Sequence, residues 1–332
     1  MPFSKILLIG QAGPNTGLGH LTRLSVVANE LKKNNINNKI IIFGDVSKRR
    51  IDSLDINTQL NSSKDNFFDV LSREVINNSY SQIILDLNPR ELPCQIKETI
   101  LWLKNKDIEI VSIDSLFEYS MHMNFIWVPS FYDKFSNNPL LSNKVIFGWD
   151  SYLLNKKLTT PKWKTGKKVL ILTGASDTKN LSKKLPHKLE NDLSEVMEIT
   201  WVQGPYSKKP TLPEESRHNW KIIFNPNDIQ ELICSSNYVL TVFGVSFFET
   251  IQYGIPTTVF SPYDQKDFEE LKALSKEGVC LVSESENNAI KDLDKLIQDT
   301  DLCKNISKTA LKKMRHSGVK NLVKKVLTDM KK

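Results

Sequence analysis

The sequence predicts an α/β protein built from two successive doubly wound domains. Three observations carry this reading. At 332 residues the chain exceeds what one ordinary hydrophobic core supports. Its first half alternates short, continuous apolar runs with helical stretches, the pattern of a parallel sheet covered on both faces. The same alternation restarts after Pro161, Lys162, Trp163, Lys164, Thr165, Gly166 and Lys167, where proline, glycine and local charge interrupt it. The expected domains are therefore residues 1–160 and 161–332, with the last helix free to pack back on the first domain.

In the first domain, residues 5–9 form the first strand, a glycine-bearing loop follows, and a helix runs from about 19 to 34. Residues 39–43 and 82–86 are further strands, a helix covers 96–104, and 109–114 and 125–129 complete the set. Residues 57–66 are polar and read as an irregular excursion. In the second domain the strands are 168–172, 198–202, 221–224, 238–242 and 257–260, with helices at 228–235 and 246–253. Two such halves resemble Rossmann-like domains facing each other across a cleft.

Composition excludes several classes of function. Apolar residues make up 40% and charged residues 25%, and no apolar run reaches the roughly 20 residues of a membrane span. Residues 6–9 are too short an apolar stretch for a secretory leader, and Gly10 begins a loop, so a buried first strand is the better reading. Cys94, Cys234, Cys280 and Cys303 are dispersed, which suits buried or half-buried thiols in a reducing compartment, the cytoplasm. The five histidines show no metal-binding spacing; neither a metal site nor a cofactor is expected. Much of the +7 charge falls in one predicted C-terminal helix carrying Lys308, Lys312, Lys313, Arg315, Lys320, Lys324, Lys325, Lys331 and Lys332. Its primary reading is a solvated amphipathic face, and a weak attraction to an anionic membrane surface is the second. No stripe of interleaved basic and aromatic residues supports nucleic acid as a partner.

Three motifs carry candidate chemistry. Gly13-Pro14-Asn15-Thr16-Gly17-Leu18-Gly19-His20-Leu21-Thr22-Arg23 follows a strand and opens a helix, so its glycines bring backbone close to a ligand and His20 sits in the first helical turn, where a neutral ring accepts a proton. It is not the dinucleotide fingerprint, because Thr22 stands at the third glycine position. Gly244-Val245-Ser246-Phe247-Phe248-Glu249, then Gly254-Ile255-Pro256, again joins a strand to a helix. There Ser246 and Glu249 form either a capping box or part of a nucleotide site in which Glu249 holds a ribose diol. Thr173-Gly174-Ala175-Ser176-Asp177-Thr178-Lys179-Asn180 suits a diphosphate, or equally an ordinary turn with Ser176 or Asp177 capping a helix.

Together the motifs resemble the UDP-sugar hydrolases of the pseudaminic acid pathway and, more distantly, the lipid II-forming glycosyltransferases. Gly17-Leu18-Gly19-His20-Leu21-Thr22-Arg23 is similar to that family's G-x-G-H-x-x-R, and Asp86 and Asp114 to its strand-end acids. Tyr152-Leu153-Leu154 resembles its Y-x-L-L, and residues 174–180 its G-G-x-D-x-x-N. Gly244 through Glu249, Gly254-Ile255-Pro256 and Gln265 resemble its G-x-S-x-x-E, G-x-P and following glutamine. The resemblance implies the GT-B fold and a UDP-sugar substrate, with Glu249 on the ribose and Gly244 to Ser246 near the diphosphate; Gly17, Gly19, Gly174, Ser176 and Gln265 are further candidate substrate-binding residues, and Arg23 is either a phosphate or sugar contact or a surface helix residue. His20 is then the expected general base for water attacking the anomeric carbon, in surface-glycan biosynthesis. Ala175 and Phe243 stand where paired glycines are usual, and Asp264 where an asparagine is. The alternatives are a GT-B glycosyltransferase using a glycan or lipid-linked acceptor, and a sugar-nucleotide-binding protein without activity. For a lipid-type acceptor, Phe117, Tyr119, Met121, Met123, Phe125 and Trp127 are the candidate apolar patch, with core and loop packing as the primary reading.

Overall fold

A computed structural model describes residues 5–14, 16–47, 51–52, 56–177, 179–226, 228–263 and 267–329. The chain forms two compact units, one of residues 1–154 with 316–332 and one of residues 155–315.

In the first unit, β1 (Lys5–Gln11), α1 (Gly19–Lys33), β2 (Asn37–Phe43), β3 (Thr58–Asn61), α2 (Phe67–Asn77), β4 (Gln82–Asp86), α3 (Ile96–Lys104), β5 (Glu109–Ile113), β6 (Phe125–Trp127) and β7 (Val145–Ile146) follow in order. The strands form one sheet in the order β3-β2-β1-β4-β5-β6-β7, every neighbouring pair parallel. Strand alternation divides β1 between two cores. Ile6 and Leu8 face a cluster with Leu21, Leu24 and Leu31 of α1, whereas Leu7 and Ile9 face one with Phe67, Leu71, Ile96 and Ile100 of α2 and α3. All four β1 side chains are fully buried, which contributes about 1.5–3 kcal/mol each.

In the second unit, β8 (Lys168–Leu172), α4 (Leu181–Asp192), β9 (Glu198–Gln203), β10 (Asn219–Phe224), α5 (Gln230–Ser235), β11 (Tyr238–Val242), α6 (Val245–Ile251), β12 (Thr257–Phe260), α7 (Phe268–Leu274), β13 (Leu281–Ser283), α8 (Glu286–Gln298) and α9 (Thr300–Lys313) follow. Its sheet has the order β10-β9-β8-β11-β12-β13, again parallel throughout. Trp201 and Tyr238 anchor one core with Leu185, Leu189, Ile290 and Leu293 from α4 and α8. The segment containing the Pro/Gly interruption is held to this unit: the Lys157 amide donates to Gln230 Oε1 (2.9 Å) and Trp163 Nε1 to the Asn237 carbonyl (2.7 Å).

The last element, α10 (Gly318–Asp329), returns to the first unit and buries Val319, Leu322, Val323 and Val326 against α1. Its start approaches residues 151–152 so closely that a Cβ on Gly318 would lie 2.4 Å from the Tyr152 carbonyl oxygen, which excludes any larger residue there.

The structure corrects four expectations. Residues 57–66 are not wholly irregular: 58–61 form β3, an edge strand that pairs with β2 on one side and therefore tolerates its polar sequence. Helix α2, absent from the sequence reading, begins where the Asn66 side chain accepts the Asp69 amide (3.1 Å), the N-cap signal that would have located it. The basic C-terminal helix is two helices. Lys308, Lys312 and Lys313 lie on α9 in the second unit, and Lys320, Lys324 and Lys325 on α10 in the first. Cys280 and Cys303 are buried and Cys234 half-buried, but Cys94 is exposed. Among the described residues, no helix is long and apolar enough to cross a membrane.

Candidate active site

Each sheet reverses its strand order once, between β1 and β4 in the first unit and between β8 and β11 in the second. Reversal points open a crevice at the carboxyl ends of the strands, where doubly wound proteins bind ligands. All three sequence motifs lie at these two points: the His20 loop follows β1, the Gly174 turn follows β8 and the Gly244 turn follows β11.

In the first unit, Asp86 ends β4 with no exposed surface. Beside it the backbone of Gly13 and Gly17 pairs in both directions (3.0 and 2.7 Å), closing the loop that leads into α1. Gly19 is the first residue of α1 and His20 the second, with Arg23 three residues on along the same face. Both side chains converge on Asp86. His20 Nδ1 lies 2.7 Å from Asp86 Oδ1, Arg23 Nη2 lies 2.6 Å from the same oxygen, and Arg23 Nε lies 2.9 Å from Oδ2. The guanidinium thus grips the carboxylate with two parallel bonds. Burial by itself would raise the Asp86 pKa, but the Arg23 charge and then His20 outweigh it and hold the value down at about 2. With Asp86 ionised, a hydrogen bond at this contact requires the ring proton on His20 Nδ1, the tautomer that leaves the lone pair on Nε2; Arg23 Nη2 also lies 3.0 Å from the same Nδ1.

Asp114 follows β5 in the left-handed conformation (φ 51°), its amide donating to the Trp127 carbonyl (2.9 Å). Burial raises its pKa, with Arg23 and Lys134 offsetting only part of that effect. A carboxyl whose folded pKa exceeds its unfolded one contributes stability below the unfolded value of about 3.9 and loses it as pH rises through the folded value. Asp114→Asn keeps the left-handed backbone and removes the ionisation. Its melting temperature is expected to exceed wild type at pH 7, with the gap narrowing toward pH 4. A lower melting temperature at pH 7 would contradict this.

In the second unit, Gly174 is exposed and Ser176 half-buried, whereas Asp177 is buried and accepts the amides of Leu181 (2.8 Å) and Ser182 (2.9 Å). The N-cap residue of α4 is Asn180 rather than Ser176 or Asp177, and the Asp177 side chain reaches the first-turn amides from three residues earlier. Gly244 stands at the N-cap of α6 with φ 156°, and a Cβ there would meet no atom within 4 Å. What requires glycine is the backbone conformation rather than space. Ser246 lies inside the first turn of α6 rather than at its cap, so the capping box with Glu249 does not form. Glu249 is half-buried one turn further along. The Phe243 ring packs against Phe247 and Phe248, with centroids 5.9 and 5.7 Å away. Gln265 and Asp264 lie outside the described residues, as does Thr178.

Of the proposed apolar patch, Met123, Phe125 and Trp127 are buried in the core, Phe117 and Tyr119 are half-buried against it, and Met121 is exposed. The sequence reading named Arg23 as a substrate contact and did not pair it with Asp86. The signals were present: the three-residue spacing from His20, and an acid ending the strand that neighbours β1.

No family profile matches the sequence, and no curated protein matches it significantly. Solved structures do match over essentially the full chain. MurG of Acinetobacter baumannii superposes with a TM-score of 0.65 at 14% identity, covering 98% of this chain and 99% of that one. The spinosyn forosaminyltransferase SpnP gives 0.70 at 12% identity, covering 99% and 100%. UGT2 of Phytolacca americana, solved with UDP-2-fluoroglucose and pterostilbene, gives 0.67 at 11% identity, covering 99% and 100%.

The chain has the GT-B fold. Within that fold, the His20–Asp86–Arg23 cluster belongs to the N-terminal sheet, and the Gly174 and Gly244 turns belong to the C-terminal one.

Proposed function

We propose that this chain is a nucleotide-sugar-dependent glycosyltransferase in which His20 is the general base. The observation that carries the proposal is the buried Asp86 bound to His20 Nδ1, which fixes the ring and leaves Nε2 as a proton acceptor. In the reaction, an acceptor hydroxyl oxygen attacks the anomeric carbon while its proton passes to Nε2. The bond from that carbon to the diphosphate oxygen breaks, and the nucleoside diphosphate leaves. Asp86 stabilises the imidazolium as it forms, and Arg23 keeps Asp86 ionised and in place.

The nucleotide is assigned to the second unit, with the diphosphate at the Gly174–Ser176 and Gly244–Ser246 turns and the ribose diol on Glu249. UDP is the expected nucleotide, on the motif resemblance and on the UDP-sugar present in the UGT2 structure. Ser246 lies inside α6, so Glu249 does not form a capping box with it, and the half-buried Glu249 stands one turn beyond the Gly244 turn. Glu249→Ala is accordingly expected to weaken UDP binding by about 1–3 kcal/mol, the cost of leaving polar partners unmet. Isothermal titration against wild type reads this directly, and unchanged affinity would remove Glu249 from the site.

A second reading is hydrolysis, with water in place of the acceptor. The ordered motif set from Gly17 to Glu249 favours it, whereas the full-length likeness to glycosyltransferases favours transfer. UDP release from a panel of UDP-sugars, with and without hydroxyl acceptors, decides between them. Release that requires an acceptor supports transfer, and equally fast release in water alone supports hydrolysis. No release with any donor would leave a binding protein.

A further inference from the structure

We infer that Gly204 and the Tyr206 amide, in the loop after β9, are positioning groups for the diphosphate: they hold the carbonyls of Gly174 and Ala175 on the loop side, so that the amides of Ala175 and Ser176 face the crevice. The inference rests on the nucleotide assignment proposed above and names what orients that site. The loop follows the end of β9 at Gln203 and belongs to none of the three sequence motifs.

The contact is between backbones. A Cβ on Gly204 would lie 2.4 Å from the Gly174 carbonyl oxygen, 2.5 Å from that of Ala175 and 2.7 Å from the Ala175 carbonyl carbon. Both oxygens therefore lie on the Gly204 side of the turn, at a distance that only glycine permits. The Tyr206 amide donates to the Ala175 oxygen (3.0 Å). The loop also closes on itself: the Ser207 amide donates to the Gly204 carbonyl (3.1 Å), and Gln203 Nε2 donates to the Ser207 carbonyl (3.1 Å). The Gly174 turn thus rests on a short loop that is itself internally bonded.

Peptide geometry carries the next step. In a planar trans peptide the N–H points opposite to the preceding C=O. With the two carbonyls turned toward the β9 loop, the amides of Ala175 and Ser176 are directed away from it. Strand β8 lies between β9 and β11, so that direction is the side of the β8–β11 crevice. Val242, the last residue of β11, stands there, its Cγ2 3.9 Å from a Cβ placed on Gly174. Two successive amides directed to one side are the donor arrangement of an anion-binding concavity. The start of α4 does not offer the same service, because the Asp177 carboxylate already accepts its Leu181 and Ser182 amides (2.8 and 2.9 Å). A second anion at that helix end would meet like charge.

The two amides can be observed singly. Gly–Ala and Ala–Ser each occur once in the sequence, at 174–175 and 175–176. Isotopic labelling of glycine carbonyl carbons with alanine nitrogens, and of alanine carbonyl carbons with serine nitrogens, therefore selects one peptide group in each sample. Spectra of the full-length wild type are recorded with UDP, uridine and inorganic pyrophosphate at millimolar concentration, and calorimetry on the same samples measures UDP binding. UDP and pyrophosphate are expected to move both amide protons downfield, and uridine to leave them in place. If UDP binds while either amide stays unmoved, the inference falls and the nucleotide assignment stands. If UDP does not bind, both fall together.

Two variants test the positioning role. Gly204→Ala sets a methyl group against both carbonyls and should weaken UDP binding at least tenfold, with uridine affinity changed less than twofold. An ester in place of the Pro205–Tyr206 amide, introduced through the α-hydroxy analogue of tyrosine, removes the donor to Ala175 without adding volume. It serves as the test if Gly204→Ala does not fold, and should weaken UDP at least threefold with uridine unchanged. A merely structural role would lower both affinities together. Either folded variant binding UDP as the wild type does, or losing uridine in the same proportion, overturns the inference.

Discussion

His20→Ala is expected to fold, to bind UDP with wild-type affinity, and to lose turnover by about 10²–10⁴-fold, the range for removing a general base. The separation follows from where the residues lie. His20 is on α1 in the first unit, and the groups assigned to the nucleotide follow β8 and β11 in the second. His20 is also not needed to hold Asp86, because Arg23 alone makes two bonds to it. Removing the imidazole therefore leaves a buried carboxylate that is still paired, and the melting temperature should change little. Titration calorimetry, thermal melts and the UDP-release assay on one preparation test all three statements. Full activity in the variant would end the catalytic assignment of His20. A large loss of stability would instead assign the ring a structural role.

Much of this arrangement is legible in the sequence, for identifiable reasons. The central strands are buried along almost their whole length, so apolar and β-branched residues dominate them: residues 82–86, 168–172, 238–242 and 257–260 are strands to the residue. Edge elements carry no such signal. Strand β3 is Thr-Gln-Leu-Asn, and pattern alone does not separate it from a loop. The glycine motifs were visible because backbone at strand ends follows simple steric rules. The choice between a capping box and a nucleotide site at Ser246 and Glu249 is not legible in the sequence, because S-x-x-E spacing does not fix where a helix begins, and here α6 begins one residue before Ser246. What the sequence could not supply was the partnership between residues far apart in the chain. Asp86 is 63 residues from Arg23 and 66 from His20, and only the parallel pairing of β4 with β1 brings them together.

Asp86 should be the most consequential single position, because it acts on both catalysis and stability. In Asp86→Asn the side-chain amide can donate to His20 Nδ1, which moves the ring proton to Nε2 and removes the lone pair that accepts the acceptor's proton. Turnover is expected to fall by about 10²–10⁴-fold although every ring atom stays in place. The same change leaves the Arg23 guanidinium largely buried without its counter-charge, and breaking such a pair costs about 3–5 kcal/mol. The two effects can be separated. Arg23→Met with Asp86→Asn removes the stranded charge, so it should recover much of the stability and none of the activity. Chemical denaturation of the two single variants and the double variant, beside their turnover, measures the coupling. A pH series gives an independent check. With a folded pKa near 2 and an unfolded value of about 3.9, Asp86 contributes stability that is fully present above pH 4 and lost as the pH falls through 2. The expected loss is about 2 kcal/mol, and Asp86→Asn should lack that component. If the wild type and the variant lost stability in parallel between pH 4 and 2, the ionised Asp86 at the centre of the proposed mechanism would have to be abandoned.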